Sequence, residues 1–281
     1  MKPSNPGTSM TPDLRTLLRH WRDLRGSSQL DLSLDTGISQ RQISFIESGR
    51  SVPNRETLMA IARALDVPLR DRNTLLLAAG YAPMFSEGAW DSMEMKSVTN
   101  ALTRILRQHE PFPALVMDRY WNVLMSNEAA PLFFSCFFDM ATRKGPRNVL
   151  HLMFDPEGMR PFVANWHDVA RSLFERVYRE SIGRVLDKRT KDLLAALLAY
   201  PDVKSEWKNP VPIGFMPVIP LSFIRHDHVL NYFSMVTTVG TPQTVAAQEL
   251  RIECLFPADE ATETHHAAMM DIARANQETA Q

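Results

Sequence analysis

The residues best suited to specific chemistry lie close together near the start of the chain. Ser39-Gln40-Arg41-Gln42 opens a short amphipathic segment, and Ser44 follows within one turn. Glutamine holds adenine, and arginine guanine, through two hydrogen bonds each at exposed base edges. Gln40, Arg41 and Ser44 are therefore candidates for reading bases from a helix capped by Ser39. Gln29, Gln42 and Arg50 are candidates for holding phosphates, contacts that position a protein on a duplex without reading its sequence.

Other chemistry-bearing pairs carry weaker readings. Tyr200 and Lys204 have the Tyr-x-x-x-Lys spacing of short-chain dehydrogenases, but Pro201 argues against a continuous helix. There is no nucleotide fingerprint, no P-loop, no Gly-x-Ser-x-Gly and no His-Glu-x-x-His, so no catalytic residue is assigned. His226-Asp227-His228 falls between two strand-like runs and reads as a solvated turn rather than a metal site. His265 and His266 are adjacent on a helical pattern and diverge. Cys136 and Cys254 form no Cys-x-x-Cys; both read as core residues, with a redox sensor as the alternative.

The elements that must position the first cluster are short and well punctuated. Thr11-Pro12 reads as a helix start, followed by Leu14, Leu17, Leu18, Trp21 and Leu24 at helical spacing. Arg15, Arg19 and Arg25 between them read as a solvated face. Ser28 caps a second helix, and Gly37 can take the left-handed conformation that closes it. Ser39 caps a third, with Gln42 at the reciprocal capping-box position. A fourth helix begins after Pro53-Asn54, and a fifth runs from Leu69 to Ala79. Two short helices joined by a glycine turn form a helix-turn-helix. The alternative is an all-α module used only for protein contacts.

Residues 12–80 thus form an all-α five-helix domain, and residues 81–97 a linker that packs locally. Residues 98–276 form a second domain of mixed type. Ala114–Met117 and Trp121–Met125 read as antiparallel strands, followed by helices through Tyr200. Leu221–His226, Val229–Val239 and Glu249–Phe256 read as further strands, and Ala261–Asn276 as a closing helix. In the last strand Leu250, Ile252, Cys254 and Phe256 alternate with Arg251 and Glu253, the pattern of a strand with one wet face. The fold class is all-α followed by α+β.

Composition agrees with this reading and excludes others. The 281 residues are 44% hydrophobic, enough for sizeable cores, and no apolar run is long enough to span a membrane. Residues 1–11 lack the apolar core of a secretory leader, so a cytoplasmic protein is expected. Residues 1–85 hold 11 Lys and Arg against 8 Asp and Glu, and ten of those cations are arginine. The excess permits nucleic-acid binding without proving it.

Two resemblances sharpen these expectations. Ser28-Gln29-x-x-Leu32-Ser33-x-x-x-Gly37-Ile38-Ser39, then Ile43-Ser44-x-Ile46-Glu47-x-Gly49-Arg50, resembles the lambda-repressor-like (xenobiotic-response-element) helix-turn-helix class. Ser27 departs from it, where an apolar residue is usual. The resemblance implies double-stranded operator DNA as partner, and an ion pair between Arg22 and Glu47. Over residues 12 to about 262 the chain also resembles the MmyB-like transcriptional regulators. The matching residues are Ala79-Gly80-Tyr81, Pro113 to Asn122, Asn148-Val149-Leu150, Asp155-Pro156-Glu157-Gly158, Gly240-Thr241-Pro242-Gln243, Glu249 to Glu253 and Phe256-Pro257-Ala258-Asp259. His151 replaces a usual arginine, and Thr244 a usual aspartate. This resemblance implies a bacterial cytoplasmic regulator with a PAS-like ligand-binding domain, some members holding fatty-acid-like molecules. No other cofactor is implied.

A PAS-like sheet covered by helices leaves a cavity for a small-molecule effector. Leu115, Met117, Phe133, Phe137, Trp166, Phe174, Phe223 and Phe233 are the apolar candidates to line it, with plain core packing as the alternative for each. Arg225, Asn231, His151 and Asn165 are the candidates for a polar anchor. Arg225 is favoured because guanidinium grips a carboxylate through two hydrogen bonds. A homodimer is expected on a near-palindromic operator. The rival readings are a C-terminal domain serving only as a dimerisation scaffold, and an enzyme fused to a DNA-binding domain.

Overall fold

The computed structural model describes residues 13–140, 145–182, 187–209, 218 and 220–280. It divides into two compact units, one built mainly on residues up to Glu87 and the other mainly on residues from Gly88 onward. The Thr11-Pro12 helix start lies outside the described residues.

The first unit contains five helices: α1 (Leu14–Leu24), α2 (Gln29–Thr36), α3 (Gln40–Glu47), α4 (Arg55–Ala64) and α5 (Leu69–Ala78). Asp13 caps α1, accepting from the Thr16 amide at 2.9 Å. Ser28 and Asp31 form a full capping box on α2. Ser39 accepts from the Gln42 amide at 3.3 Å, but the reciprocal bond from the Gln42 side chain is not among those described. Gly37, at φ 70°, makes the left-handed step between α2 and α3 that a Cβ would strain. Leu17, Leu18 and Trp21 of α1 pack with Leu32, Ile43, Ile46, Leu58 and Ile61 in one core. Full burial of each such side chain contributes about 1.5–3 kcal/mol. The start of the expected linker belongs to this unit. Buried Asn73 accepts from the Met84 and Phe85 amides and donates to the Phe85 carbonyl and Glu87.

The second unit carries an antiparallel five-stranded sheet in the order β2-β1-β5-β4-β3. Its strands are β1 (Ala114–Met117), β2 (Val123–Ser126), β3 (Leu221–Arg225), β4 (His228–Thr238) and β5 (Arg251–Pro257). The helices are α6 (Lys96–Gln108), α7 (Ala129–Ser135), α8 (Val149–Phe154), α9 (Trp166–Ile182), α10 (Lys188–Leu198), α11 (Val245–Glu249) and α12 (Glu260–Ala280). Helix α10 ends before Tyr200, so Tyr200 and Lys204 share no helix. His226 and Asp227 form the β3–β4 turn. Among the described residues no helix is long and apolar enough to cross a membrane.

Apolar layers cover both faces of the sheet at β1 and the part of β5 paired with it, whereas β4 exposes Val229 and Met235. Ala114, Val116 and Ile252 pack with Met95, Leu102 and Leu106. Leu115, Met117, Phe223, Leu230, Tyr232 and Leu255 pack with residues of α7, α8, α9 and α12 in the larger core. Buried Arg119 in the β1–β2 turn pairs with Asp187, the N-cap of α10, and with Glu249 at 2.8 Å.

Helix α12 is held to the sheet by a buried polar pair. The Tyr232 hydroxyl lies 2.8 Å from His266 Nδ1, and His266 Nε2 lies 3.0 Å from the Pro111 carbonyl. A carbonyl can only accept, so Nε2 carries the proton and Nδ1 accepts from Tyr232. Burial holds the imidazole below its ordinary value of 6.5. The neutral form is therefore the folded one, and its stabilisation is complete above the unfolded-state value. It is lost as pH falls below about 6.5 toward the folded-state value. Denaturant titrations from about pH 8 to pH 5 should show falling stability, with a shallower fall in His266→Gln.

Candidate functional site

Helix α3 presents its N-terminal half outward. Ser39, Gln40, Arg41 and Gln42 are exposed, and Ser44 is half-buried, while Ile43 and Ile46 face the core. Phe45, which sequence reasoning passed over, organises the surface beside them. The Arg41 guanidinium lies 5.3 Å from its ring centre and that of Arg50 lies 5.6 Å away. The i, i+4 spacing of Arg41 and Phe45 was the available signal. Gly49 sits at φ 77°, where a Cβ would collide with the Arg15 side chain. That conformation turns the chain after α3 and leaves Arg50 exposed near Phe45.

The angle of α3 is set by Glu47, which is 3% exposed. Arg22 donates to it from Nε at 2.7 Å and Nη2 at 3.2 Å, and Gln29 Nε2 donates at 2.9 Å. One carboxylate thus joins α1, α2 and α3. Gln29, expected at a phosphate, spends one amide donor on this joint.

The second unit contains a cavity of about 120 Å³ between the sheet and helices α7, α8 and α9. Leu115, Leu221, Phe223 and Leu255 form its sheet wall, and Phe134, Val149, Met153, Val169 and Leu173 its helical wall. A neighbouring cavity of about 140 Å³ shares Leu115, Phe134 and Val149. Three polar side chains line the first cavity: Ser172, Ser234 and Glu253. Glu253 stands opposite Leu115 in the β1–β5 register. Burial pushes its carboxyl up from the ordinary value of 4.5, against the Ser234 hydrogen bond and the Arg176 charge, which pull it down.

The description "MmyB-like transcription regulator ligand binding domain" matches residues 98–269. The chain belongs to this family. A helix-turn-helix description matches residues 18–71, spanning α2 and α3. The two matches make this MmyB-like protein a ligand-responsive transcription regulator that binds DNA through its first domain. No curated protein matches it.

The candidate pocket residues of this MmyB-like regulator separate into three groups. Leu115 and Phe223 line the cavity. Met117, Phe133, Phe137, Trp166 and Phe174 pack in the core around it, with Trp166 donating to the Met153 carbonyl at 2.9 Å. Phe233 stacks on Phe256 and points to the opposite sheet face from its neighbour Tyr232. None of the four polar candidates is among the residues lining the cavity. Arg225 Nε donates to the Cys136 carbonyl, and Asn231 accepts from Ser222 and donates to Asp259. His151 Nδ1 lies 2.9 Å from the Tyr200 hydroxyl, and Asn165 bonds the Pro220 carbonyl and the Ser222 amide. Both cysteines are free, with burial raising their thiols, the opposite of an activated thiolate.

Two outcomes follow from this geometry. Glu47→Ala removes the bidentate partner of Arg22, which keeps Asp23 at 3.1 Å and the Ser27 carbonyl at 2.9 Å, and should destabilise the chain by about 1.5–3 kcal/mol in denaturant melts. Glu253 costs nothing when protonated, and its cost grows as pH rises from the unfolded value toward the folded one. Glu253→Gln should therefore melt above wild type at about pH 8, the gap closing toward about pH 4.

Proposed function

We propose that the chain is a cytoplasmic, homodimeric regulator of operator DNA, controlled by a small apolar or amphipathic molecule bound in its second domain. On DNA, Gln40, Arg41 and Ser44 read bases from the major groove, and Gln29, Gln42 and Arg50 hold phosphates. Two copies would set their α3 helices about 34 Å apart on a near-palindromic site. The outward N-terminus of α3, pinned by Glu47, supports this half of the reading.

The observation that carries the sensing half is the apolar cavity walled by four strands and three helices, with few polar groups, the usual character of a small-molecule site. The strand order β2-β1-β5-β4-β3 supports a PAS-like sensor. Size favours a short chain or a ring, since an apolar cavity of about 150 Å³ holds benzene. A longer, fatty-acid-like chain would extend into the neighbouring cavity by displacing the shared side chains Leu115, Phe134 and Val149. Binding would change DNA affinity only by the ligand's differential affinity for the free and DNA-bound arrangements.

Arg41→Ala should cost about 1–3 kcal/mol on the selected operator and relax discrimination at one base position. Equal loss on every sequence would assign Arg41 to the DNA backbone instead. For the sensing half, thermal-shift and DNA-release assays against unbranched chains of graded length should show a length optimum. A flat response in both assays would favour a dimerisation scaffold.

A further inference from the structure

The sequence pattern points Glu253 to solvent, but the strand that carries it is covered on both faces. Glu253 shares the cavity face of β5 with Leu255 and stands opposite Leu115, so its half-buried side chain lines the cavity. Its cavity companions are two hydroxyls, Ser172 and Ser234, and Ser234 already donates to it. Among the described residues no lysine, arginine or histidine lines the cavity. Arg176 acts on Glu253 from outside that wall, and its guanidinium is occupied by the Trp121 ring at 5.0 Å and by Glu180 at 3.5 Å.

This arrangement has a chemical polarity. Protonated or ionised, the Glu253 carboxyl retains acceptor positions after the Ser234 bond. A ligand hydroxyl would donate a hydrogen bond to it, and a ligand ammonium would favour its ionised form and make a charge-assisted one. A ligand carboxylate would share one proton with Glu253 and still leave a net negative charge in a cavity lined by no cation among the described residues, which costs desolvation. We propose that the effector is an apolar molecule whose head donates a hydrogen bond to Glu253, a hydroxyl or an ammonium, and that ionised carboxylates are selected against. This rests on the reading of the cavity as the effector site and narrows it: the apolar tail remains, and the fatty-acid head does not.

Three probes with one tail and different heads test it: hexan-1-ol, hexylamine and hexanoate, titrated into the full chain at neutral pH by calorimetry. Hexan-1-ol and hexylamine should bind at least about tenfold more tightly than hexanoate. In Glu253→Gln, hexylamine should lose about tenfold and the gap to hexanoate should close. Hexanoate binding wild type as tightly as hexan-1-ol overturns the head-group inference and leaves the apolar-effector reading standing. Binding of none of the three probes removes the effector site and this inference with it. The wild-type ranking decides the matter alone if the Gln variant does not fold.

Discussion

Strand β1 has no face open to water. All four of its residues are buried, two toward α6 and two toward the larger helical layer. It pairs with β5 along its length, so β5 inherits the same two-sided enclosure where the strands meet. Burial of apolar area on both faces drives this arrangement, which leaves no inexpensive place for a polar side chain. Those that occur are paired, as Arg119 is with Asp187 and Glu249, or sit beside a cavity, as Glu253 does. The sheet's enclosure thus explains both the stable body of the second unit and the chemical character of its cavity.

The first unit solves a related problem with a single carboxylate. Five short helices bury one small core, and their ends would slide without a directional contact. Glu47 provides it by accepting from α1 and α2 at the last residue of α3. A buried charge is costly alone and specific when paired, so the contact selects one crossing arrangement over its neighbours. The outward groups of α3 are then offered from a rigid helix, which base-edge recognition requires.

Much of this was legible in the residues themselves. Ser28, Gly37, Ser39 and Asn54 mark helix ends through local chemistry, and local chemistry survives folding. The last strand of the second unit followed from period-two alternation, and the first two from apolar runs flanking a turn. The linker's attachment did not, because the bonds that Asn73 makes to the chain after α5 span a loop that no pattern marks. The polar residues that line the cavity differ from the four candidate anchors for a physical reason. Alternation reports the difference between two strand faces, and Arg251 and Glu253 made one face look wet although a second helical layer covers it. Arg225 was favoured for its hydrogen-bonding capacity, but it lies at the end of β3, where its guanidinium turns to the Cys136 carbonyl. Ser172 was invisible among the helical residues of α9, where only the i, i+3, i+4 neighbours Val169 and Leu173 disclose its face.

The central claim is that occupancy of the cavity changes operator affinity. It is tested most directly by filling the cavity from inside. Ser172→Phe places a ring where the ligand would sit, and a duplex selected from random sequence serves as the operator. Operator affinity is then measured for both proteins across a hexan-1-ol titration. The account predicts that wild-type affinity changes with concentration while that of Ser172→Phe stays constant. An identical response in both proteins, or an unchanging affinity in wild type despite measured binding, would contradict it.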